Sequence, residues 1–146
     1  MTKGKGFNNA ADTSSMIVER DGKVLYVERG RDPYTGMLAL PGGYLDCGEE
    51  TLERCAVREL GEETGIRAKE EDLALVCVHS DPDRDPRGHV IDHVYAVLRS
   101  EGDPEAGDDA AKVFWIALGD EPRLAFDHNK AMEKYKIWRK ENVESN

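Results

Sequence analysis

The chain has 146 residues, enough for one domain with a sizeable core and no need of disulfide or metal staples. A net charge of −10 argues against a non-specific electrostatic grip on nucleic acid, and no apolar run is long enough to cross a bilayer. Three cysteines, Cys47, Cys55 and Cys77, are an odd number at spacings that match no zinc pattern, so the expectation is reduced thiols in a cytoplasmic protein without a signal peptide.

Residues 1–15, rich in Gly, Asn, Lys and Ser, read as a flexible N-terminal arm, and residues 16–142 as a single domain. Met16-Ile17-Val18 opens the ordered part, and the turn signal Asp21-Gly22 precedes Lys23-Val24-Leu25-Tyr26-Val27 in a hairpin pattern. The loop that follows carries Arg29 and Arg31, which either face solvent or contact a phosphate. Met37-Leu38-Ala39-Leu40 is a short strand stopped by Pro41-Gly42-Gly43, where glycine opens backbone conformations closed to other residues and lets a carbonyl approach a ligand. A helix is expected over residues 50–64, ending on Gly65 in the left-handed conformation. Leu73 to Val78 is a strand, and the polar, proline-broken loop after it is long for a plain connection. Residues 90–98 form a strand buried on both faces, 99–111 an acidic loop, and 112–118 another strand. A last helix follows, with Asp127 as N-cap. Its stripe of His128, Ala131, Tyr135 and Trp138 reads as packing. Six strands and two helices fit an α/β fold, an α/β/α sandwich on a mixed sheet.

The richest stretch is Arg58-Glu59-Leu60-Gly61-Glu62-Glu63-Thr64-Gly65-Ile66. On a helix, Glu59, Glu62 and Glu63 fall within an arc of about 100°. Neighbouring like charges destabilise a helix, and a hard divalent cation is the simplest compensation. A solvated acidic face is the plainer reading. Against it, Leu52, Ala56 and Leu60 form an apolar stripe beginning where the arc ends, and Arg58 is placed to brace a carboxylate.

These residues, with Gly43 and a Glu at 49 or 50, resemble the signature box of the Nudix hydrolases, which cleave nucleoside diphosphates linked to another group. Where the family has five residues from Gly to Glu and seven from Glu to Arg, this chain has five from Gly43 to Glu49 but eight from Glu49 to Arg58. One residue has been added where loop turns into helix. The resemblance implies the α/β/α sandwich and a Mg²⁺ or Mn²⁺ cofactor held by Glu59, Glu62 and Glu63, with the Gly42 carbonyl as a further ligand. Arg58 would orient a glutamate. The base that takes the proton of water would be Glu62 or Glu59, or an acid beyond the box, Asp108 or Asp109 before Glu101 or Glu105.

Three further segments resemble the ADP-ribose pyrophosphatases of that family: Arg31-Asp32-Pro33 leading into Ala39-Leu40-Pro41-Gly42-Gly43, residues 80–89, and residues 106–111 with the aromatic pair behind them. Ala125-Phe126-Asp127-His128 belongs with them. The reaction implied is hydrolysis of ADP-ribose to AMP and ribose 5-phosphate. Arg29, Arg31, Gly43, Arg84 and Arg87 are then substrate-binding candidates, and Tyr34 or Tyr44 would stack on adenine. Arg84 and Arg87 alternate with Asp81, Asp83 and Asp85, so local pairing as loop scaffolding is the competing reading. The expected partner is a small nucleoside diphosphate, not nucleic acid or membrane, and the resemblance leaves a homodimer open. Two alternatives stand beside this one: a Nudix hydrolase for NADH, dinucleoside polyphosphates or oxidised nucleotides, and a domain that senses ADP-ribose without cleaving it.

Overall fold

Strand β1 (Ala11–Arg20) is the hub of the architecture in the computed structural model, which describes residues 9–104 and 112–144. One edge of β1 pairs in parallel with β6 (Val90–Val97), from Ala11 opposite Val90 to Val18 opposite Val97. Its other edge is divided. The first half takes β4 (Gly42–Tyr44) and the end takes β2 (Lys23–Glu28), both antiparallel. β3 (Leu38–Ala39) and β7 (Val113–Ala117) pair with β2, and β5 (Leu73–His79) lies antiparallel on β6 with a bulge between Leu75 and Cys77. The result is a seven-stranded mixed sheet.

Helix α1 (Leu52–Thr64) covers one face and α2 (His128–Arg139) the other, which is the expected sandwich. Alternation along the central strands feeds both layers. Met16 and Val18 of β1 and Tyr95 and Val97 of β6 pack with Ala56 and Leu60 of α1. Ile17, Val94 and Ala96 pack with Ala131, Met132 and Tyr135 of α2. Among the described residues no helix is long and apolar enough to cross a membrane.

Local signals explain the ends of these elements. Asp21 and Gly22 both have positive φ (52° and 77°), the backbone of a two-residue hairpin turn whose twist matches its strands. Thr51 caps α1, its hydroxyl accepting the Arg54 N–H at 3.1 Å, so the helix proper starts at Leu52 instead of residue 50. Gly65 ends it at φ 79°, its N–H donating to the Gly61 carbonyl.

Four expectations need correction. The first strand begins at Ala11, not Met16: Thr13, Ser14 and Ser15 looked too polar for a core strand, but β6 and β4 satisfy their backbone and their hydroxyls find buried acceptors. Gly42–Tyr44 is a seventh strand, where a stop and a loop were expected. Neither Gly42 nor Gly43 has positive φ, so these glycines provide room, as described below, and not an unusual backbone. Asp127 stands at the N-cap position of α2, but its side chain makes no cap bond.

The left-handed cap of α1 yields a stability test. Gly65→Ala keeps every other contact and forces a β-carbon into that region; the expected loss is about 1 kcal/mol, read as a lower urea midpoint at unchanged slope.

Candidate active site

The acidic run lies on α1 where the helix passes beneath β4. Arg58 sits at its centre and uses its whole guanidinium fork. Nε and Nη2 donate to the two oxygens of Glu50 (2.8 and 2.6 Å), and Nη1 reaches Glu59 and Glu62 at 3.1 Å each. Nη2 also donates to the Tyr44 carbonyl at 3.2 Å, tying the loop to the helix. Arg58 and the Asp46 amide pull the Glu50 carboxyl down to about 2. Glu49 points outward, exposed. Of the two candidates it is Glu50 that meets the arginine, with seven residues between Glu50 and Arg58 and the added residue on the Gly43 side.

The two carboxylates nearer β4 are partly buried, at a cost to their charged form that the nearby guanidiniums do not offset. Burial raises the Glu59 carboxyl above its ordinary range, Arg58 opposing it. Burial pushes Glu63 up to about 7, although its Oε1 accepts the Gly42 N–H at 2.9 Å. Both glycines of β4 sit close against neighbours, Gly42 against fixed backbone and Gly43 against the end of a side chain. A β-carbon on Gly43 would collide with the Glu59 carboxylate, and one on Gly42 with the Ser14 carbonyl oxygen. In donor chemistry the set fits a hard divalent cation: carboxylate oxygens, two of them with raised affinity for a proton and hence under-neutralised. In arrangement it is not a closed ligand cage. Among the described residues no group of three or more His, Cys, Asp or Glu side chains stands close enough to hold a metal, since Arg58 engages Glu59 and Glu62 while Glu63 turns to Gly42.

A cavity of about 830 Å³ opens beside these carboxylates. Glu59, Glu62 and Glu63 line one wall, and Arg29, Arg31, Arg84 and Arg87 line another. Arg29 donates from Nε to the Pro33 carbonyl (2.6 Å) and lies over the Phe126 ring at 4.9 Å. Burial and its neighbours Arg87 and Arg31 lower its pKa, the mark of a crowded positive site. Arg87 is gripped by Asp85, with Nε and Nη2 at 3.1 and 2.8 Å, and lies over Tyr44 and Phe126 at 5.0 and 5.3 Å. Arg84 is not paired with Asp81, Asp83 or Asp85 as loop scaffolding. It forms a two-pronged bond with Asp127, at 2.9 and 2.7 Å, with its side chain 4 % exposed. Tyr44 belongs to the cavity lining, whereas Tyr34 packs edge-on against Phe126. Asp108, Asp109 and Glu105 lie outside the described residues, and Glu101 pairs with Arg67 in an isolated bridge.

Several lining residues escaped the sequence reading. Asp92 is buried, accepting from Ser15 and Thr13 hydroxyls at 2.8–2.9 Å. A lone acid inside a strand read as buried on both faces was the available signal. His128, read as packing, is part of the cavity lining. Its Nδ1 accepts the Leu40 N–H at 3.0 Å while burial keeps it neutral, so the proton sits on Nε2, 3.7 Å from Asp92. Phe126, part of the resembling segment Ala125-Phe126-Asp127-His128 but given no role of its own, supplies the central ring of the arginine wall.

Comparison with known proteins agrees with this geometry. Residues 9–138 match the NUDIX domain. The ADP-ribose pyrophosphatase of Methanocaldococcus jannaschii is 46 % identical over 123 residues, 84 % of this chain and 71 % of that protein. A MutT/nudix family protein from Enterococcus faecalis superposes with a TM-score of 0.82 at 28 % identity, over 93 % of this chain but only 64 % of that one. The NUDIX domain of Shewanella oneidensis NrtR, solved with ADP ribose, gives a TM-score of 0.80 at 28 % identity over 93 % of this chain and 92 % of its own.

One ion pair behind the arginine wall sets a pH dependence. His79 Nδ1 lies 3.2 Å from Asp127, off the line of a good hydrogen bond, and Asp127 with Cys77 raises the imidazole to about 9. The folded-state pKa exceeds the ordinary value near 6.5, so the stability from this pair is complete below about pH 6.5 and lost as pH rises through about 9. The melting temperature is expected to fall by a few degrees between pH 7 and 9.5, and His79→Gln to flatten that slope.

Proposed function

The chain belongs to the Nudix family, and on that premise we propose that it hydrolyses the diphosphate bond of ADP-ribose, with water, to AMP and ribose 5-phosphate. The observation that carries this reading is one cavity with under-neutralised carboxylates on one wall and arginines on the other. An ion held by the first wall and guanidiniums on the second address the same substrate feature, two adjoining phosphates. The similarity to an ADP-ribose pyrophosphatase selects among diphosphates.

Glu59, Glu62 and Glu63, with the Gly42 carbonyl, would hold the divalent cation, Mg²⁺ or Mn²⁺. When bound, the cation supplies positive charge against the diphosphate oxygens and acidifies the attacking water. The protein's own part is positioning. Arg58 orients Glu59 and Glu62 and is itself braced by Glu50. Gly43 lets the substrate and the Glu59 carboxylate approach the same stretch of backbone. Arg29, Arg31 and Arg87 take phosphate charge. Tyr44 offers a ring face for the base. The proton lost by water passes to a carboxylate, for which Asp108, Asp109, Glu62 and Glu59 compete. Three free cysteines suit a cytoplasmic setting, and a net charge of −10, which repels polyanions and anionic membranes alike, suits a small-molecule substrate. A homodimer is the assembly to test, by sedimentation.

Product chromatography over a panel of ADP-ribose, NADH, a dinucleoside polyphosphate and an oxidised nucleotide, with Mg²⁺ or Mn²⁺, is expected to show AMP released fastest from ADP-ribose. Glu62→Gln and Glu63→Gln should each lower kcat at least about a hundredfold, the scale of several kcal/mol of lost charge stabilisation, with an unchanged circular dichroism spectrum. Near-normal turnover in both variants would reject the site. Tight ADP-ribose binding without AMP after hours in metal would identify a sensor instead.

A further inference from the structure

The loop of residues 80–89 and the start of α2 meet at one carboxylate, Asp127. On one side Asp127 grips Arg84 with both oxygens. Arg84 in turn donates to the Val90 carbonyl at 3.2 Å and lies 3.8 Å from Asp92. It lines the cavity, yet its donors are already committed to protein acceptors, so it suits the role of tie better than that of free phosphate ligand. Against burial that would raise it, His79 and Arg84 hold the Asp127 carboxyl well below the usual carboxylate range. Asp at a helix N-cap ordinarily bonds a backbone amide of the first turn; here that role is given up for the cross-link to Arg84.

On the other side of Asp127 stands Phe126, with φ at 54°. The left-handed region is costly for an aromatic residue and persists only where the surroundings fix it. They do so here: the Ala125 N–H donates to the Leu38 carbonyl at 2.8 Å before it, and the Asp127 tie follows it. The strained backbone places the Phe126 ring within reach of two guanidiniums, Arg29 at 4.9 Å and Arg87 at 5.3 Å. Arg29 comes from the loop after β2 and Arg87 from the loop that Arg84 anchors. The ring is what the two loops share.

We propose that Asp127 is a positioning residue, which through Arg84 on one side and Phe126 on the other sets the spacing of Arg29 and Arg87 for the two phosphates of the substrate. It rests on the diphosphate reading above. None of these residues hydrogen-bonds an α1 carboxylate, although Arg29 acts on Glu63 through its charge, so the device acts mainly on substrate binding.

Two variants test this from opposite sides. Asp127→Asn keeps size and removes the charge that orders Arg84. Phe126→Gly accepts the left-handed backbone without strain and removes the ring, so it remains informative should the first variant fold poorly. In each folded variant KM for ADP-ribose with Mg²⁺ is expected to rise about tenfold, the effect of losing one such anchored contact, while kcat stays within about twofold. A merely structural role would lower activity in proportion to the folded fraction and leave KM where it was; that result would overturn the proposal. If the wild type prefers another diphosphate, the same split is read on that substrate, and only the choice of ADP-ribose is lost. If it cleaves nothing, the comparison moves to the calorimetric Kd for ADP-ribose, and a wild type that binds nothing would sink both readings.

Discussion

Arg58 is the constraint on which the candidate site depends. A helix that carries Glu59, Glu62 and Glu63 on little more than one turn is working against its own electrostatics. One guanidinium, itself steadied by Glu50 and the Tyr44 carbonyl, engages two of the three and leaves the third to a backbone amide. That division keeps Glu59 and Glu63 partly buried yet under-neutralised, the condition in which oxygen donors favour a hard cation. The apolar side of the same helix is ordinary core, Ala56 and Leu60 against β1 and β6. Packing fixes the helix and Arg58 fixes what it presents.

The opposite wall follows a different logic. Its arginines are not left to repel one another across open solvent. Asp85 grips Arg87, Asp127 grips Arg84, and Arg29 and Arg87 both lie over the ring of Phe126. Positive charge is concentrated there because carboxylates behind it and an aromatic face within it make the concentration tolerable. A site of this kind attracts an anion with two adjoining charges more strongly than a single loop arginine would.

Much of this was legible in the residues, and the failures have physical causes. The amphipathic wheel placed the carboxylates, the Asp-Gly turn placed the hairpin, and Gly65 ended the helix where its left-handed φ shows it must. The start of β1 was hidden because Thr13, Ser14 and Ser15 look solvent-seeking until partners 79, 38 and 77 positions away, Asp92, Leu52 and again Asp92, supply their acceptors. β4 was hidden because Gly42-Gly43 speaks against a strand by propensity, and only its contacts with Ser14 and Glu59 explain why nothing larger fits. Asp127 carried a true local signal for an N-cap position and a false one for the use of its side chain. Long-range pairing overrode local chemistry there.

The residue added before Glu50 shows which part of the motif is a ruler and which is slack. The spacing from Glu50 to Arg58 runs through the first turns of α1, where each extra residue would swing the guanidinium, and Glu59 and Glu62 with it, by about 100° around the axis and away from Glu50. The stretch from Gly43 to Glu50 is loop, and there an extra residue only lengthens an exposed arc. Length can therefore vary on the strand side of Glu50 without turning the α1 carboxylates, while on the helical side any change of count rotates all three of them away from Glu50.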